Sequence, residues 1–305
     1  MQIKSNYPLS QVTTLQIGGP AKKFVEVSSN EELTKAINFA KANNLNYLVI
    51  GEGSNLLVSD KGVDKLIIKN SITGIASQGS TLRVQSGTVL QELVDFSIKY
   101  GLAGLQKLTG IPGTVGGAIY GNAGAYGQTI SDHIVEVTVL NPSTVIPAQG
   151  CGFNYRDSNF KRNHHIILEV TFQFEKSDPQ IMKAEAKEVL SKRLVKYPPG
   201  IKCPGSFFKN IVADTLSKEI LDKIPKKAII YGKLPAGYLL EQVGAKGNSL
   251  DGIYIADYHA NLFINNDHGN AQAFHDLAKK YAEKVYEKYG IKLEPEVQLI
   301  NLPPL

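Results

Sequence analysis

The stretch that most constrains this chain runs from Gly110 to Gly127, GIPGTVGGAIYGNAGAYG, and holds seven of the chain's 28 glycines. Glycine concentrates where a backbone must take positive φ or lie close against something. The same stretch carries Ile111, Val115, Ile119, Tyr120 and Tyr126, side chains that pack and that a flexible Gly/Ser linker has no use for. No lysine or arginine occurs between Lys107 and Arg156. A phosphate held here is therefore expected to sit on backbone N–H groups, in turns and at a helix start, and not on side-chain cations.

A chain of 305 residues with 43% hydrophobic content has room for more than one core, so a multidomain protein is expected. The net charge is +5 and the basic residues are spread along the chain, which suits phosphorylated small molecules and speaks against a nucleic-acid partner. Cys151 and Cys203 lack CxxC or histidine spacing, so neither a zinc site nor a disulfide framework is expected, and a reducing cytoplasm fits. The six histidines show no metal spacing, and His164-His165 reads as a structural pair on opposite faces of a strand. No apolar leader and no run of about 18 apolar residues occurs, so neither export nor membrane insertion is expected. Nothing points to an obligate protein partner.

Along the chain, Phe24–Val27 reads as a strand and Ser29-Asn30-Glu31-Glu32 as a capping box, opening a helix with Leu33, Ala36, Ile37 and Ala40 on its apolar face. Tyr47–Ile50 reads as a buried strand that delivers the chain into the turn Gly51-Glu52-Gly53-Ser54-Asn55, a βαβ unit with glycines at the edge where such sheets bind ligands. The turn lacks the Lys-Ser/Thr of a P-loop and the third glycine of a dinucleotide fingerprint. Further strands are expected at Leu56–Val58, Lys65–Ile68, Thr81–Ser86, Ile134–Leu140 and Ile166–Phe174, with a helix carrying Leu90, Leu93, Val94 and Ile98. Asp178-Pro179 starts a long helix, apolar at Ile181, Ala184, Val189 and Leu194, which Pro198-Pro199-Gly200 ends at the main domain boundary. Beyond it short helices and strands alternate, from a helix over Leu216–Ile224 and a strand at Ala228–Tyr231 through Tyr238–Val243, Gly252–Ile255 and Asn261–Ile264, before an amphipathic helix through Phe274, Leu277, Ala278, Tyr281 and Val285 and a strand over Leu293–Ile300.

Four places carry candidate chemistry. Arg156, in the turn-like Tyr155-Arg156-Asp157-Ser158, suits a carboxylate or phosphate through its bidentate fork, or else pairs at the surface with Asp157. Ser206 lies in Gly205-Ser206-Phe207-Phe208-Lys209-Asn210, where two aromatics can hold a hydroxyl against a dry wall, though a helix N-cap or a plain turn fits as well. Glu294 and Glu296 flank Pro295 and, by strand periodicity, face one way, so one can be buried in a site and the other lie at its rim. Arg193 and Lys196, three apart on one helix, make a cationic pair for a phosphate or a merely solvated face.

Taken in order, the Gly51 turn, Gly110–Gly117, Gly121–Gly127, Tyr155–Ser158, Gly205–Asn210 and Leu293-Glu294-Pro295-Glu296-Val297 resemble the UDP-N-acetylenolpyruvoylglucosamine reductases, the MurB family of bacterial flavoenzymes. The resemblance covers nearly the whole chain. It implies an α+β protein, with a two-subdomain FAD-binding fold of the vanillyl-alcohol-oxidase (PCMH) type followed by an α+β substrate-binding domain. Residues 1–70 and 71–197 would be the two FAD-binding subdomains and 198–298 the substrate domain, while 299–305 can return to the first. It implies FAD held non-covalently by Gly51, Gly53, Ser54, Asn55 and Leu56, by Pro112, Gly113, Thr114, Gly116 and Gly117, and by Asn122, Gly124, Ala125 and Tyr126. NADPH is then the hydride donor and UDP-N-acetylenolpyruvoylglucosamine the substrate, reduced to UDP-N-acetylmuramate for peptidoglycan.

By the same resemblance Arg156, Ser206 and Glu296 are catalytic, and Tyr155, Lys196, Asn210 and Tyr231 contact the nucleotide sugar or NADPH. The short interval from Arg156 to Lys196 leaves out the tyrosine-bearing loop of the type I branch, so the chain is similar to type II members. Hydride added to the conjugated enolpyruvyl group places charge on the α-carbon and carboxylate. Arg156 and Glu296 would hold that charge, Glu296 while it keeps or shares a proton, and Ser206 would protonate the α-carbon. A covalent-flavin oxidase would need a histidine or cysteine attachment, and no Arg-Ser-Gly-Gly-His-like sequence occurs. A non-catalytic nucleotide-sugar binder would have no need of Arg156, Ser206 and Glu296 together.

Overall fold

Helix α1 (Asn30–Ala42) begins where the Ser29 hydroxyl accepts from the Glu32 N–H at 3.2 Å. In this computed structural model, which describes residues 1–140 and 143–305, the other arm of the expected box reaches one residue further back. The Glu32 carboxylate accepts from the Ser28 N–H at 2.9 Å and from its hydroxyl at 3.0 Å. The Ser28 backbone bond first, then the Met1 ammonium 3.1 Å away and the Ser28 hydroxyl, hold the Glu32 carboxyl down at about 2. Leu33, Ala36, Ile37 and Ala40 are all buried, packed with Val25, Val27, Leu66 and Ile68.

The chain divides into two compact units, one made of Met1–Ser5, Lys23–Glu52 and Asp64–Pro198, the other of Asn6–Lys22, Gly53–Val63 and Pro199–Leu305. The first unit takes in most of one sheet, whose residues Asn6–Pro8, Pro20–Lys22 and Val63 belong to the other unit, and the whole of a second. One runs in the order Lys4–Pro8, Pro20–Val27, Val63–Asn70, Tyr47–Ile50, with the last two parallel. The other is antiparallel, in the order Thr144–Pro147, Ile134–Leu140, Ile166–Gln173, Thr81–Gln85, Ile75–Gln78. Helices α2 (Leu90–Lys99) and α3 (Val115–Gly121) share a core with that sheet: Leu93, Val94, Val115 and Ile119 meet Leu82, Val84, Val137 and Val170. Short α4 (Phe160–Asn163) and long α5 (Pro179–Lys196) complete the unit, and α5 is capped by the Asp178 carboxylate on the Gln180 N–H at 2.7 Å.

The second unit centres on Phe207, Phe208, Phe263 and Phe274, with ring centroids 4.7 to 5.5 Å apart along the chain of contacts. Each fully buried phenylalanine contributes about 2 kcal/mol of transfer free energy. Around them lie α6 (Lys218–Asp222), α7 (Ala236–Gln242), α8 (Ala271–Tyr289) and the antiparallel strands Ser249–Leu250, Ile253–Ile255 and Phe263–Asn265. Helix α8 buries Phe274, Leu277, Ala278, Tyr281 and Val285 as the period predicts, and ends at Gly290 with φ 71°. Gln298–Ile300 pairs in parallel with Leu56–Val58.

Several expectations are corrected. Helix α5 buries Met182, Ala186 and Val189, while Ile181 and Leu194 are exposed. The turn of the helix follows its polar anchors, because Glu185 is held by Gln106 at 2.8 Å and Arg193 by the Gly110 carbonyl at 3.1 Å on the same face. Ala228–Tyr231 is not a strand, since Tyr231 (φ 49°) and Gly232 (φ 69°) turn the chain in succession. Only Gln298–Ile300 of the expected last strand is regular, because Pro295 has no N–H to give a ladder. Tyr47–Ile50 is half-buried apart from Ile50, and the expected Leu216–Ile224 helix is only Lys218–Asp222. His164 takes φ 56° at the end of α4, so the histidine pair lies before the strand and not in it.

Candidate active site

In the first unit the glycine segment contains a helix. Thr114 is extended and its hydroxyl accepts from the Gly117 N–H at 3.3 Å, capping α3, which ends at Asn122 in the left-handed region with φ 45°. The Val115 and Gly116 N–H groups donate to the Thr88 and Ser86 carbonyls at 2.8 Å each. The antiparallel bridge of Val89 with Thr114 makes this so. Among the described residues the Gly113 and Thr114 N–H groups are not spent on backbone carbonyls, which moves the available donors to just before the helix. A Cβ on Gly116 would come 3.0 Å from the Ser86 carbonyl oxygen, so that glycine serves the fit of the chain to itself. One on Gly117 would meet only the Thr114 hydroxyl, at 3.5 Å, and one on Gly51 would lie 2.4 Å from the same hydroxyl.

The cations missing from the segment come to both of its ends. Arg156 Nη2 donates to the Gly124 carbonyl at 2.7 Å and Nη1 to that of Asn122 at 3.5 Å, with the guanidinium 5.5 Å from the Tyr155 ring centre. Asp157 pairs with Arg162 at 2.7 Å. The turn is stitched to α3: Ser158 donates to the Tyr120 carbonyl at 2.7 Å and Asn122 to that of Asn154 at 2.8 Å. Arg156 (φ 52°) and Tyr126 (φ 50°) are both left-handed, a conformation costing on the order of 1–2 kcal/mol outside glycine, and such strain concentrates at functional sites. At the other end Arg193 Nη2 donates to the Gly110 carbonyl at 3.1 Å. Burial pulls the Arg193 guanidinium below its usual value, Tyr197 and Tyr126 oppose that, and Arg156 adds to it. Arg193 and Lys196 lie 5.2 and 5.0 Å from the same Tyr197 ring. Ala125 pairs with Gln128 in a two-strand ribbon.

In the second unit Gly53 is buried with φ 64°, and a Cβ there would lie 2.0 Å from the Val12 carbonyl oxygen. Asn55 donates through its side chain to the Glu296 carbonyl at 3.1 Å, and its own carbonyl accepts from the Gln298 N–H at 3.0 Å. The expected cofactor turn, which runs on through buried Leu56, thus lies against the expected catalytic glutamate. Ser206 forms an antiparallel bridge with Leu262 and no helix begins there, so it is not an N-cap. One residue on, the Phe207 carbonyl accepts from the Glu296 N–H at 2.7 Å. Ser206 therefore lies one residue before the backbone partner of Glu296. Glu296 is half-buried, while Glu294 is exposed and pairs with Lys209 at 3.2 Å. Asn210 accepts from the Ala236 N–H at 3.2 Å at the start of α7, and Tyr231 stands 80% exposed.

One residue escaped the sequence reading. Asn261, 2% exposed, accepts from the Phe208 N–H and donates to the Phe208 carbonyl, both at 2.8 Å. The signal for it was a lone carboxamide in the apolar run from Ala260 to Ile264.

Residues 21–146 match the family model described as FAD binding domain, and residues 198–300 the one described as UDP-N-acetylenolpyruvoylglucosamine reductase, C-terminal domain. A UDP-N-acetylenolpyruvoylglucosamine reductase of Solibacter usitatus is 37% identical over 99% of this chain and 97% of its own length. One of Carboxydothermus hydrogenoformans is 35% identical over 98% and 94%. The crystal structure of the reductase of that name from Thermus caldophilus superposes with a TM-score of 0.79 at 28% identity, over 98% of this chain and 99% of the other.

Proposed function

This chain belongs to the UDP-N-acetylenolpyruvoylglucosamine reductase family, and from that premise we propose which of its residues act on substrate: Arg156, Ser206 and Glu296. It is an FAD-containing, NADPH-dependent oxidoreductase that reduces UDP-N-acetylenolpyruvoylglucosamine to UDP-N-acetylmuramate in peptidoglycan synthesis. Its fold is a PCMH-type FAD-binding domain followed by the reductase C-terminal domain. We retain residues 1–70 and 71–197 as FAD-binding subdomains and 198–298 as the substrate domain. The interval from Arg156 to Lys196 is filled by α4, Ile166–Gln173, Glu175–Lys176 and α5, which supports the type II reading.

The residues present fit FAD. A Cβ on Gly117 would touch only the Thr114 hydroxyl, the Gly113 and Thr114 N–H groups are not engaged by backbone carbonyls among the described residues, and buried Gly53 lets its turn close tightly. We assign the cofactor contacts to Gly51 and to Pro112, Gly113, Thr114, Gly116, Gly117, Asn122, Gly124, Ala125 and Tyr126 in the first unit. In the second we assign them to Gly53, Ser54, Asn55 and Leu56. When bound, FAD relays hydride from NADPH to the terminal carbon of the enolpyruvyl group.

That addition leaves negative charge on the substrate's α-carbon and carboxylate. Arg156, fixed by two loop carbonyls and a strained backbone, meets that charge with a fork whose direction is set in advance. Glu296 supplies a carboxyl to the same group. Ser206 Oγ gives its proton to the α-carbon; a hydroxyl is a weak acid, adequate only against so basic a centre. Tyr155, Lys196, Asn210 and exposed Tyr231 are assigned to the nucleotide sugar or NADPH. NADPH and a uridine-diphosphate sugar are metabolites of the cell interior, which supports a cytoplasmic location. No helix among the described residues is long and apolar enough to cross a membrane.

The observation that carries this reading is the 2.7 Å bond from the Glu296 N–H to the Phe207 carbonyl, which sets acid and glutamate on adjoining strands. Stopped-flow of the two half-reactions tests it. Ser206→Ala should leave reduction by NADPH nearly normal and slow reoxidation by the enolpyruvyl substrate by roughly 10²–10⁴-fold. Ser206→Cys should recover part of the loss. Equal slowing of both half-reactions, or of neither, would refute the role.

A further inference from the structure

We propose that Asn261 is a positioning residue for proton delivery by Ser206, an inference that rests on the reading of Ser206 as the acid. Ser206, Phe207 and Phe208 are the middle of three extended segments. On one side Ser206 bridges Leu262 and the Phe207 N–H donates to the Asn261 carbonyl at 3.0 Å. On the other the Phe207 carbonyl accepts from the Glu296 N–H at 2.7 Å, and Phe208 bridges Pro295. At Phe208 the first of these ladders is carried on by a side chain. The Asn261 carboxamide accepts from the Phe208 N–H and donates to its carbonyl, 2.8 Å each, as a peptide unit of a neighbouring strand would.

The chemistry of that clamp admits few residues. An acceptor and a donor side by side on a short stem is a carboxamide; a carboxylate supplies acceptors alone, and an alkyl group would leave a buried N–H and a buried C=O unmade. Packing by Phe207 and Phe208, 0% and 1% exposed, keeps the segment in the core but does not set its slide or twist. On the N-terminal flank Gly205 has φ 90°, with no atom within 4 Å of where a Cβ would stand, and two residues before it the Cys203 carbonyl accepts from the Thr14 hydroxyl at 2.8 Å. The Ser206 backbone takes its position from the two ladders, and Asn261 completes the first of them. Only the step in which Ser206 gives up its proton depends on that position. Reduction of the cofactor by NADPH uses no serine proton.

Asn261→Asp tests this in the FAD-loaded enzyme, because it keeps size and acceptor and removes the donor. The expected result is unchanged FAD content and unchanged reduction by NADPH, with reoxidation by the enolpyruvyl substrate slowed on the order of 10²-fold, the scale of a 1 Å misplacement. Added to Ser206→Ala, the same substitution should slow reoxidation no further, since it acts through the missing hydroxyl. The proposal is overturned if both half-reactions slow together, if neither does, or if the slowing persists undiminished in the Ser206→Ala background. If Asn261→Asp does not load with FAD, Asn261→Ser is measured in the same way, and failure of both to load assigns Asn261 to the fold and overturns the proposal. If Ser206→Ala alone leaves reoxidation fast, the reading of Ser206 fails. If it slows reoxidation and Asn261→Asp does not, only the positioning role fails.

Discussion

At the scale of single residues, neighbouring glycines of α3 do different work, and that separates cofactor binding from folding. Gly116 lies against the Ser86 backbone, so a valine there must displace its own chain; overpacking of that kind costs typically 1–3 kcal/mol. Gly117 has ordinary helical neighbours, a Cβ there would stand in van der Waals contact with the Thr114 hydroxyl alone, and in a helix glycine is a poorer former than valine by about a few tenths of a kcal/mol. Gly117→Val should therefore melt at or above the parent temperature as apoprotein and yet lose FAD, read by absorbance and by fluorescence titration. Gly116→Val should lose both. Parental FAD affinity in Gly117→Val would remove the first turn of α3 from the cofactor site. Arg156, Ser206 and Glu296 could be singled out in the sequence because an arginine after a long cation-free stretch, a serine between glycine and two phenylalanines, and glutamates about a proline are local patterns. The carbonyls that Arg156 and Arg193 hold are not local, and the absence of cations from the glycine segment gave no hint that two arginines reach its ends from elsewhere.

Among elements, α8 is tied to a turn 211 residues away: the Asp60 carboxylate accepts from the Ala271 N–H at 2.9 and 3.0 Å and from the Gln272 N–H at 3.2 Å, while Asn270 caps the Ala273 N–H at 2.8 Å. Two donors of the first turn depend on Asp60, and its charge lies at the positive end of the helix. Asp60→Ala should cost about 1–2 kcal/mol in denaturant unfolding, and Asp60→Asn less, since a carboxamide oxygen still accepts. A change within error for Asp60→Ala would mean that Asn270 caps the helix unaided. The helices with one strong apolar face, α1 and α8, were legible because burial and period agree on which side turns inward. Helix α5 was not. It carries apolar residues on more than one side, and its phase is decided by Gln106 and Gly110, partners that no window around α5 contains. The strand expected at Ala228–Tyr231 failed for a similar reason, as its apolar run says nothing of the two successive left-handed residues that end it.

At the scale of the whole molecule, the order of the motifs made the family legible where no single motif did, because spacing along the chain records a fold that any one glycine turn does not. That order also bears on kinetics. NADPH and the sugar nucleotide are both polyanions, and each needs cations near the hydride path. Arg193 and Lys196 converge on one ring, Tyr197, and Arg193 is further bound to the Gly110 carbonyl, so they form a single cationic group and not two. The chain has no dinucleotide fingerprint with which to hold NADPH elsewhere. The two ligands should then take turns, NADP⁺ leaving before the enolpyruvyl sugar enters, with the bound cofactor storing the hydride in between. Initial rates should give parallel double-reciprocal lines, the pattern of a two-stage mechanism, and each ligand at high concentration should inhibit by occupying the form of the enzyme meant for the other. Lys196→Ala should raise KM for both ligands, because one group serves both, with a smaller effect on kcat. Intersecting lines, or a rise in KM for one ligand alone, would show that the two anions have separate places on the protein.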